Sequence, residues 1–538
     1  MIRKSVLIRG RAGQGINFTA TLLGQMLSFA GYYVFIYRDY ASLIRGGHNF
    51  NIVTFSDQPL YSHDEKFEAV INLDRSNQDF RKDLVRKDLV LDEKKVNQDE
   101  WPKDIPQNQY QINNFLLGYL AGCWGLPTKF LTQSLRKELK LWQPAAEAVK
   151  LGVRQSVLRE KLPIYPSHER HLLTGTNGIV FGAIASGLDV YLSYPMTPAT
   201  GVLVELAKQA KKRKMLVAQI EDEIGVINTA LGASYGGAMT MVGTSGGGFA
   251  LMTEAMSLAG MAEIPLVIYL SQRTGPSTGV PTYTAQGDLN FARFAGHGEF
   301  PRVLVAPGDP QEAIDRTMEA FYLAYRYRVP AIVLSDKHLG ESYYSLDQIT
   351  FPRIKPDRFI VEWPGANYEN YALTASGVSP RAVPGQRAWA RANSYEHGPD
   401  GFTVEDSQMV KKMNDKRFRK ESGLAKKISN WQPVRSWGRG RNLIIGWGST
   451  QGAIRDSLSE LRGWQFLQVS YLAPFPRVEV KKAIDRAERV ILIENNATGL
   501  LGQLIALETG CLIKDKILKY DGRPFTSHEI INQIKRIL

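Results

Sequence analysis

Apolar residues fall in short clusters along this chain, and the clusters alternate between the compact runs of buried strands and the wider spacing of helical faces. Ser5-Val-Leu-Ile-Arg9 reads as a strand, a Gly-rich turn follows, and Asn17–Ala30 reads as a helix. Further strands are expected at Tyr33–Tyr37, Asn51–Phe55, Ala69–Leu73 and Leu89–Leu91, which suggests a doubly wound α/β unit. Asn97–Gln111 is polar and loop-like, and Pro163, Pro166 and the Ser167–His171 cluster mark a boundary. A second alternation starts at Thr174-Gly-Thr-Asn-Gly178. Its expected strands are Val190–Ser193, Leu216–Gln219, Thr240–Gly243, Leu266–Leu270, Arg302–Val305 and Ala331–Leu334, with helices at Ala199–Lys211 and Asp222–Tyr235. Periodicity fades over Gln348–Asn430, where Pro, Gly, Tyr and charged residues suit an extended arm. It returns at Asn442-Leu-Ile-Ile-Gly-Trp-Gly448 and runs to Leu538. The expected organisation is an α/β domain at 1–165, a second at 166–347, an arm at 348–430 and a third α/β domain at 431–538.

With 44% apolar and 22% charged residues among 538, the chain can bury sizeable cores, so disorder is not the expected state. Met1-Ile-Arg-Lys-Ser-Val-Leu-Ile8 runs into a strand without a signal core, and no apolar run reaches the ~20 residues of a membrane span. A cytoplasmic protein without membrane contact is expected. The two cysteines, Cys123 and Cys511, are too few for an iron–sulfur cluster, which takes about four thiolates. The net charge of +13 suits nucleic acid, a membrane surface or an acidic partner. Its densest run, Lys411–Lys420 followed by Lys426-Lys427, carries no nucleic-acid signature and is expected to be a solvated helix face.

Two Gly-rich turns stand out. Gly10-Arg-Ala-Gly13-Gln-Gly15 follows a strand and opens a helix, the arrangement that aims backbone N–H groups at an anion. Its spacing is not the dinucleotide G-x-G-x-x-G, and Asp39 is the nearest acid to a ribose partner. It therefore reads either as a phosphate site, with Arg11 and Arg45 beside it, or as a plain turn. The second turn, Gly243-Thr-Ser-Gly246-Gly247-Gly248, comes after two other marked stretches. Tyr194-Pro195-Met-Thr197-Pro198 ends a strand, where open α/β sheets bind ligands, although Thr197 also reads as a helix N-cap. Glu221-Asp222-Glu223-Ile-Gly225 opens a helix of small residues, as site acids or as ordinary dipole partners.

The order YPMTP, EDE-x-G, GTSGGG closely resembles the pyrimidine-binding domain of 2-oxoacid:ferredoxin oxidoreductases. Gln272-Arg273-Thr-Gly-Pro-Ser-Thr-Gly279, Gly377-Val-Ser-Pro-Arg381, Glu396-His397, Gly446-Trp-Gly-Ser449, Pro474-Phe-Pro476 and Glu494-Asn-Asn496 match the same family in colinear order. The resemblance implies a multidomain α/β alpha subunit. A fused N-terminal gamma-type domain is followed by a pyrimidine-binding domain for thiamine diphosphate and a transketolase C-terminal-like domain. It implies that Glu223 bonds the aminopyrimidine ring and drives the removal of the cofactor's C2 proton. Tyr194, Pro195, Ser245, Gly246 and Gly247 would line that cofactor. Thr197 would reach the 2-oxo group and Arg273 the substrate carboxylate, while Arg11, Gly13, Gly15 and Arg45 would contact coenzyme A. The family often carries a basic residue where this chain has Tyr283, so monocarboxylic 2-oxoacids are the expected substrates. No GDG motif with a downstream Asn is present. The diphosphate and Mg²⁺ site, and the [4Fe-4S] cluster, are thus expected on a beta subunit, with ferredoxin as electron acceptor. A non-catalytic dinucleotide-binding or assembly subunit is the alternative.

Overall fold

The computed structural model describes residues 2–42, 49–74, 89–138, 143–165, 170–363, 365 and 367–538. They form three sheets flanked by helices. The expected strands appear in place with shifted ends: Arg3–Gly10, Tyr33–Asp39, Asn49–Ser56 and Leu266–Gln272 are two or three residues longer than expected, Val190–Ser193 and Leu216–Gln219 are unchanged, and Ala69–Asn72 and Val303–Val305 are one residue shorter.

The first sheet runs in the order Val90–Leu91, Ala69–Asn72, Arg3–Gly10, Asn49–Ser56, Tyr33–Asp39, Tyr343–Leu346, His171–Thr174. It is mixed rather than doubly wound: Asn49–Ser56 is antiparallel to both of its neighbours. Only nine residues join Tyr33–Asp39 to Asn49–Ser56, too few for the crossover of a dozen or more that parallel pairing needs. Two strands from later in the chain, His171–Thr174 and Tyr343–Leu346, extend this sheet onto the central part of the molecule.

The second sheet orders Tyr471–Ala473, Val303–Val305, Pro330–Asp336, Leu266–Gln272, Thr240–Thr244, Val190–Ser193, Leu216–Gln219. All pairs are parallel except the one made by Tyr471–Ala473, which arrives from the C-terminal part. The third sheet, Val434–Gly438, Gly463–Val469, Gly440–Gly446, Arg489–Glu494, Asp515–Leu518, shares one apolar core with the second: Leu192, Val242 and Leu270 join Leu443, Trp447 and Leu492.

The basic run of the arm corrects an expectation. It lies on the helix Ser407–Ser429, but Lys416, Arg417 and Lys420 are buried rather than solvated. Lys416 and Lys420 each bring an ammonium within 2.5 Å of the Glu263 carboxylate, and Arg417 pairs with Glu396. The arm is thereby fastened to the central domain by charge inside the protein. Breaking such a pair costs about 3–5 kcal/mol.

Candidate active site

Strands Val190–Ser193 and Thr240–Thr244 are neighbours, but the chain leaves the first for the edge strand Leu216–Gln219 and returns on its other side. Connections part here, and this is where open α/β sheets form a crevice at their carboxyl ends. Three of the motifs converge on it. Tyr194–Pro198 follows the first strand, Glu221–Glu223 the edge strand, and Ser245–Gly248 the third.

The three acids separate by environment. Glu221 and Asp222 are exposed, and Asp222 caps the helix Glu223–Tyr235 by accepting the Gly225 N–H at 2.6 Å. Glu223 is only 4% exposed, and its Oε1 has no hydrogen-bond partner among the described residues. It presses on Gly248, where a β-carbon would stand 2.6 Å from Glu223 Oε1 and closer still to Thr244 Oγ1. Ser245 is buried at the head of the short helix Gly246–Leu251, yet its Oγ caps nothing and bonds nothing in the described structure. Gly247 faces open space. A carboxylate and a hydroxyl buried without partners are costly unless a group outside the chain meets them. A glycine floor with an acid below it fits the flat, nitrogen-bearing ring of thiamine diphosphate.

Thr197 is not a helix cap: the helix begins at Thr200 with Ala199 at the cap position. Its carbonyl accepts Arg273 Nη1 at 2.9 Å, while Arg273 Nε is buried without a partner among the described residues. Burial lowers the pKa of this guanidinium, and Asp288 opposes the shift. Sequence reasoning missed Asp288 altogether. Its carboxyl lies over Gly246, 2.8 Å from where a β-carbon would be, and burial pushes it up to about 6 against the pull of Arg273. An Asp before an apolar helix looks like any N-cap, so no signal in the sequence set it apart.

The C-terminal motifs hold this loop. Gln286 donates to the Trp447 carbonyl at 2.7 Å and accepts the Asn495 N–H at 2.9 Å. Asn496 donates to the Gln286 carbonyl, and Glu494 accepts from the Trp447 indole at 2.9 Å. Tyr283 lies between Asp39, at the end of a first-sheet strand, and Arg523 of the C-terminal part. Its hydroxyl donates to Asp39 at 3.3 Å, and the Arg523 guanidinium lies 3.7 Å from its ring centre while pairing with Asp39 at 3.2 Å.

The Gly10–Gly15 turn follows a strand of the first sheet, and its polar contacts among the described residues stay within the N-terminal part. Arg11 pairs with Asp74 at 3.0 Å, its N–H donates to Gln14 at 2.7 Å, and Asn113 donates to the Gln14 carbonyl at 2.8 Å. Gly13 and Gly15 both have positive φ, which the turn requires. Arg45 lies outside the described residues. Among the described residues no group of three His, Cys, Asp or Glu side chains could hold a metal, and no helix is long and apolar enough to cross a membrane. Beside the crevice, Tyr194, Ile224 and Leu251 are 38%, 48% and 51% exposed, so apolar surface borders each of the three motifs.

Comparison with known proteins agrees with this geometry. The family described as pyruvate flavodoxin/ferredoxin oxidoreductase, thiamine diphosphate-binding, matches residues 181–415, and pyruvate ferredoxin/flavodoxin oxidoreductase matches residues 5–106. A 2-oxoacid:ferredoxin oxidoreductase subunit alpha from Sulfolobus sp is 31% identical over 100% of this chain and 97% of its own length. The 2-oxoglutarate synthase subunit KorA of Archaeoglobus fulgidus is 30% identical over 68% of this chain and 99% of its own. A 2-oxoglutarate:ferredoxin oxidoreductase structure from Magnetococcus marinus, with 2-oxoglutarate, coenzyme A and succinyl-CoA bound, superposes with a TM-score of 0.88 at 28% identity, covering 100% of this chain and 99% of that one. With a central domain that binds thiamine diphosphate, this chain belongs to the 2-oxoacid:ferredoxin oxidoreductase family, among its alpha subunits.

Proposed function

We propose that the chain is the catalytic alpha subunit for coenzyme A-dependent oxidative decarboxylation of a 2-oxoacid, giving acyl-CoA, CO₂ and reduced ferredoxin. The observation that carries this reading is the buried Glu223 carboxyl group, whose Oε1 lacks a partner among the described residues and faces a glycine floor. Bound there, thiamine diphosphate supplies the nucleophilic carbon and the electron sink of a decarboxylation. Glu223 holds a proton at a nitrogen of the aminopyrimidine, which a carboxylate in a dry site does well. Ser245, Gly246 and Gly247 form the floor, with Tyr194 and Pro195 at its side. Arg273 takes the substrate carboxylate with its free Nε, and Thr197 orients the 2-oxo oxygen. Arg11, Gly13, Gly15 and Arg45 are assigned to coenzyme A, although Asp74 already engages Arg11.

A beta subunit completes the site with the diphosphate and Mg²⁺ ligands and the [4Fe-4S] cluster. The exposed apolar residues at the crevice support this division. On substrate size, Arg523 brings a cation over Tyr283 from the C-terminal domain. Beside the monocarboxylic preference read from the sequence, that cation, paired with Asp39, favours a second reading in which a 2-oxoacid with a second carboxylate is taken. Reconstitution with a beta subunit should give coenzyme A-dependent release of CO₂ from a 2-oxoacid, and the chain alone should give none and hold no iron. CO₂ release or stoichiometric iron in the lone chain would overturn the division.

A further inference from the structure

The helix Leu289–Phe294 ties the glycine floor to the C-terminal domain. At its start the Asp288 carboxyl lies on Gly246, and Phe291 packs edge-on against Phe249 of the floor helix, ring centres 5.1 Å apart. At its end Arg293 pairs with Glu508 of the helix Leu500–Thr509 at 3.2 Å. Six residues at ~1.5 Å each make this link about 9 Å long. Glu508 in turn lines a groove of about 510 Å³ between its own helix and the helix Arg477–Asp485. The groove is charged one way. Its acids are already engaged, Asp485 by Lys481 at 2.8 Å and Glu508 by Arg293. Arg477, Lys482 and Arg486 are exposed and have no ion pair among the described residues. Val478 in the groove is exposed as well, as are Leu507 beside Glu508 and Phe294 beside Arg293.

We propose that this groove docks the acidic face of the redox protein that takes electrons from the complex. This rests on the function proposed above, in which ferredoxin is that acceptor. Oxidising a 2-oxoacid with coenzyme A to acyl-CoA and CO₂ releases two electrons and a proton, and the electrons pass one at a time through the beta subunit's cluster to ferredoxin. The cluster must stand near the cofactor to receive them, so the acceptor has to approach the crevice. The groove lies one short helix from the crevice floor. Charge selects the occupant: unpaired cations draw in an anionic surface, and the exposed apolar residues give it a dry contact. Size and composition separate this groove from the seat of a permanent subunit. Permanent interfaces run to about 2,000–5,000 Å² and keep lysine out of their cores, whereas redox encounters bury less than about 1,200 Å². A small groove rimmed by free lysine and arginine suits the second kind.

In the reconstituted complex, Arg477→Glu, Lys482→Glu and Arg486→Glu together should raise the KM for an acidic ferredoxin by about ten- to hundredfold at low salt. The gap should close as salt rises and the Debye length falls to about 8 Å and below. Turnover with methyl viologen, a small cation that needs no acidic dock, should stay at the wild-type rate, as should the KM values for the 2-oxoacid and coenzyme A. Lys482→Gln alone should give a smaller rise of the same kind, and it carries the test if the triple variant fails to fold. A ferredoxin KM unchanged in the folded variants would overturn the proposal. So would loss of the beta subunit from the triple variant in gel filtration with its thermal unfolding unchanged, since the groove would then be that subunit's seat. A wild-type complex that reduces neither acceptor sinks the parent reading, whereas viologen reduction with a ferredoxin KM indifferent to the variants removes this inference alone.

Discussion

The molecule has two Gly-rich turns that each lead from a strand into a helix, Gly10–Gly15 and Gly243–Gly248, and they differ in what surrounds them. Around the first, polar side chains are satisfied within the chain: Asp74 holds Arg11, Gln14 folds back onto the Arg11 N–H, and Asn113 reaches the Gln14 carbonyl. Around the second, Glu223 Oε1 and Ser245 Oγ are buried and unmet, and Asp288 leaves its helix uncapped to lie on Gly246. Since buried polar groups in proteins are nearly always paired, unmet ones clustered on a glycine floor mark where a ligand can bind. Glycine spacing alone does not distinguish a site from a turn. Unmet hydrogen-bonding capacity does.

The contrast can be broken at its strongest point first. Gly248→Ala puts a methyl group into Glu223 and Thr244. Turnover of the complex should fall by ~10²–10⁴-fold, as if the acid were lost, with a stability cost of about 1–3 kcal/mol in thermal unfolding. Near-normal turnover would show that the floor is not where the chemistry happens. Arg273→Ala should raise the 2-oxoacid KM by roughly ten- to hundredfold, the scale of one charge-assisted contact. A change confined to coenzyme A kinetics would move Arg273 out of the substrate site. Arg523→Ala should shift a substrate panel by about tenfold or less away from dicarboxylic toward monocarboxylic 2-oxoacids. An unchanged ratio would leave Arg523 as an inter-domain tie to Asp39. The smallest effect belongs to the satisfied turn: Arg11→Ala removes a half-exposed pair of ~0.2–1 kcal/mol and should raise the coenzyme A KM only a few-fold, leaving the 2-oxoacid KM alone.

The central parallel sheet was legible because its strands are compact apolar runs closed by Gly, Pro or acid, so the period of the pattern and its punctuation agree. The motifs at its carboxyl ends were legible for the same reason: strand ends place them. The pairing of the first sheet was not. His171–Thr174 and Tyr343–Leu346 are four-residue strands whose partners lie far away in sequence, and local periodicity carries no such information. The helix Ser407–Ser429 misled because lysine normally means solvent. Only the distant Glu263 makes burial of Lys416 and Lys420 tolerable. Among the site acids, sequence singled out Glu223 by resemblance, whereas the structure separates it from Glu221 and Asp222 by burial. Asp288 was invisible, since its departure from capping exists only in three dimensions.

The central claim is that Glu223, and neither of its two acidic neighbours, activates the cofactor. Hydrogen–deuterium exchange at C2 of thiamine diphosphate in the reconstituted complex tests it without depending on later steps. Glu223→Gln keeps the side chain's volume but cannot hold the proton as a carboxylate does, so exchange should slow by ~10²–10⁴-fold. Glu221→Gln, at an exposed position, should exchange at the wild-type rate. Wild-type exchange in Glu223→Gln, with or without slowing in Glu221→Gln, would contradict the account.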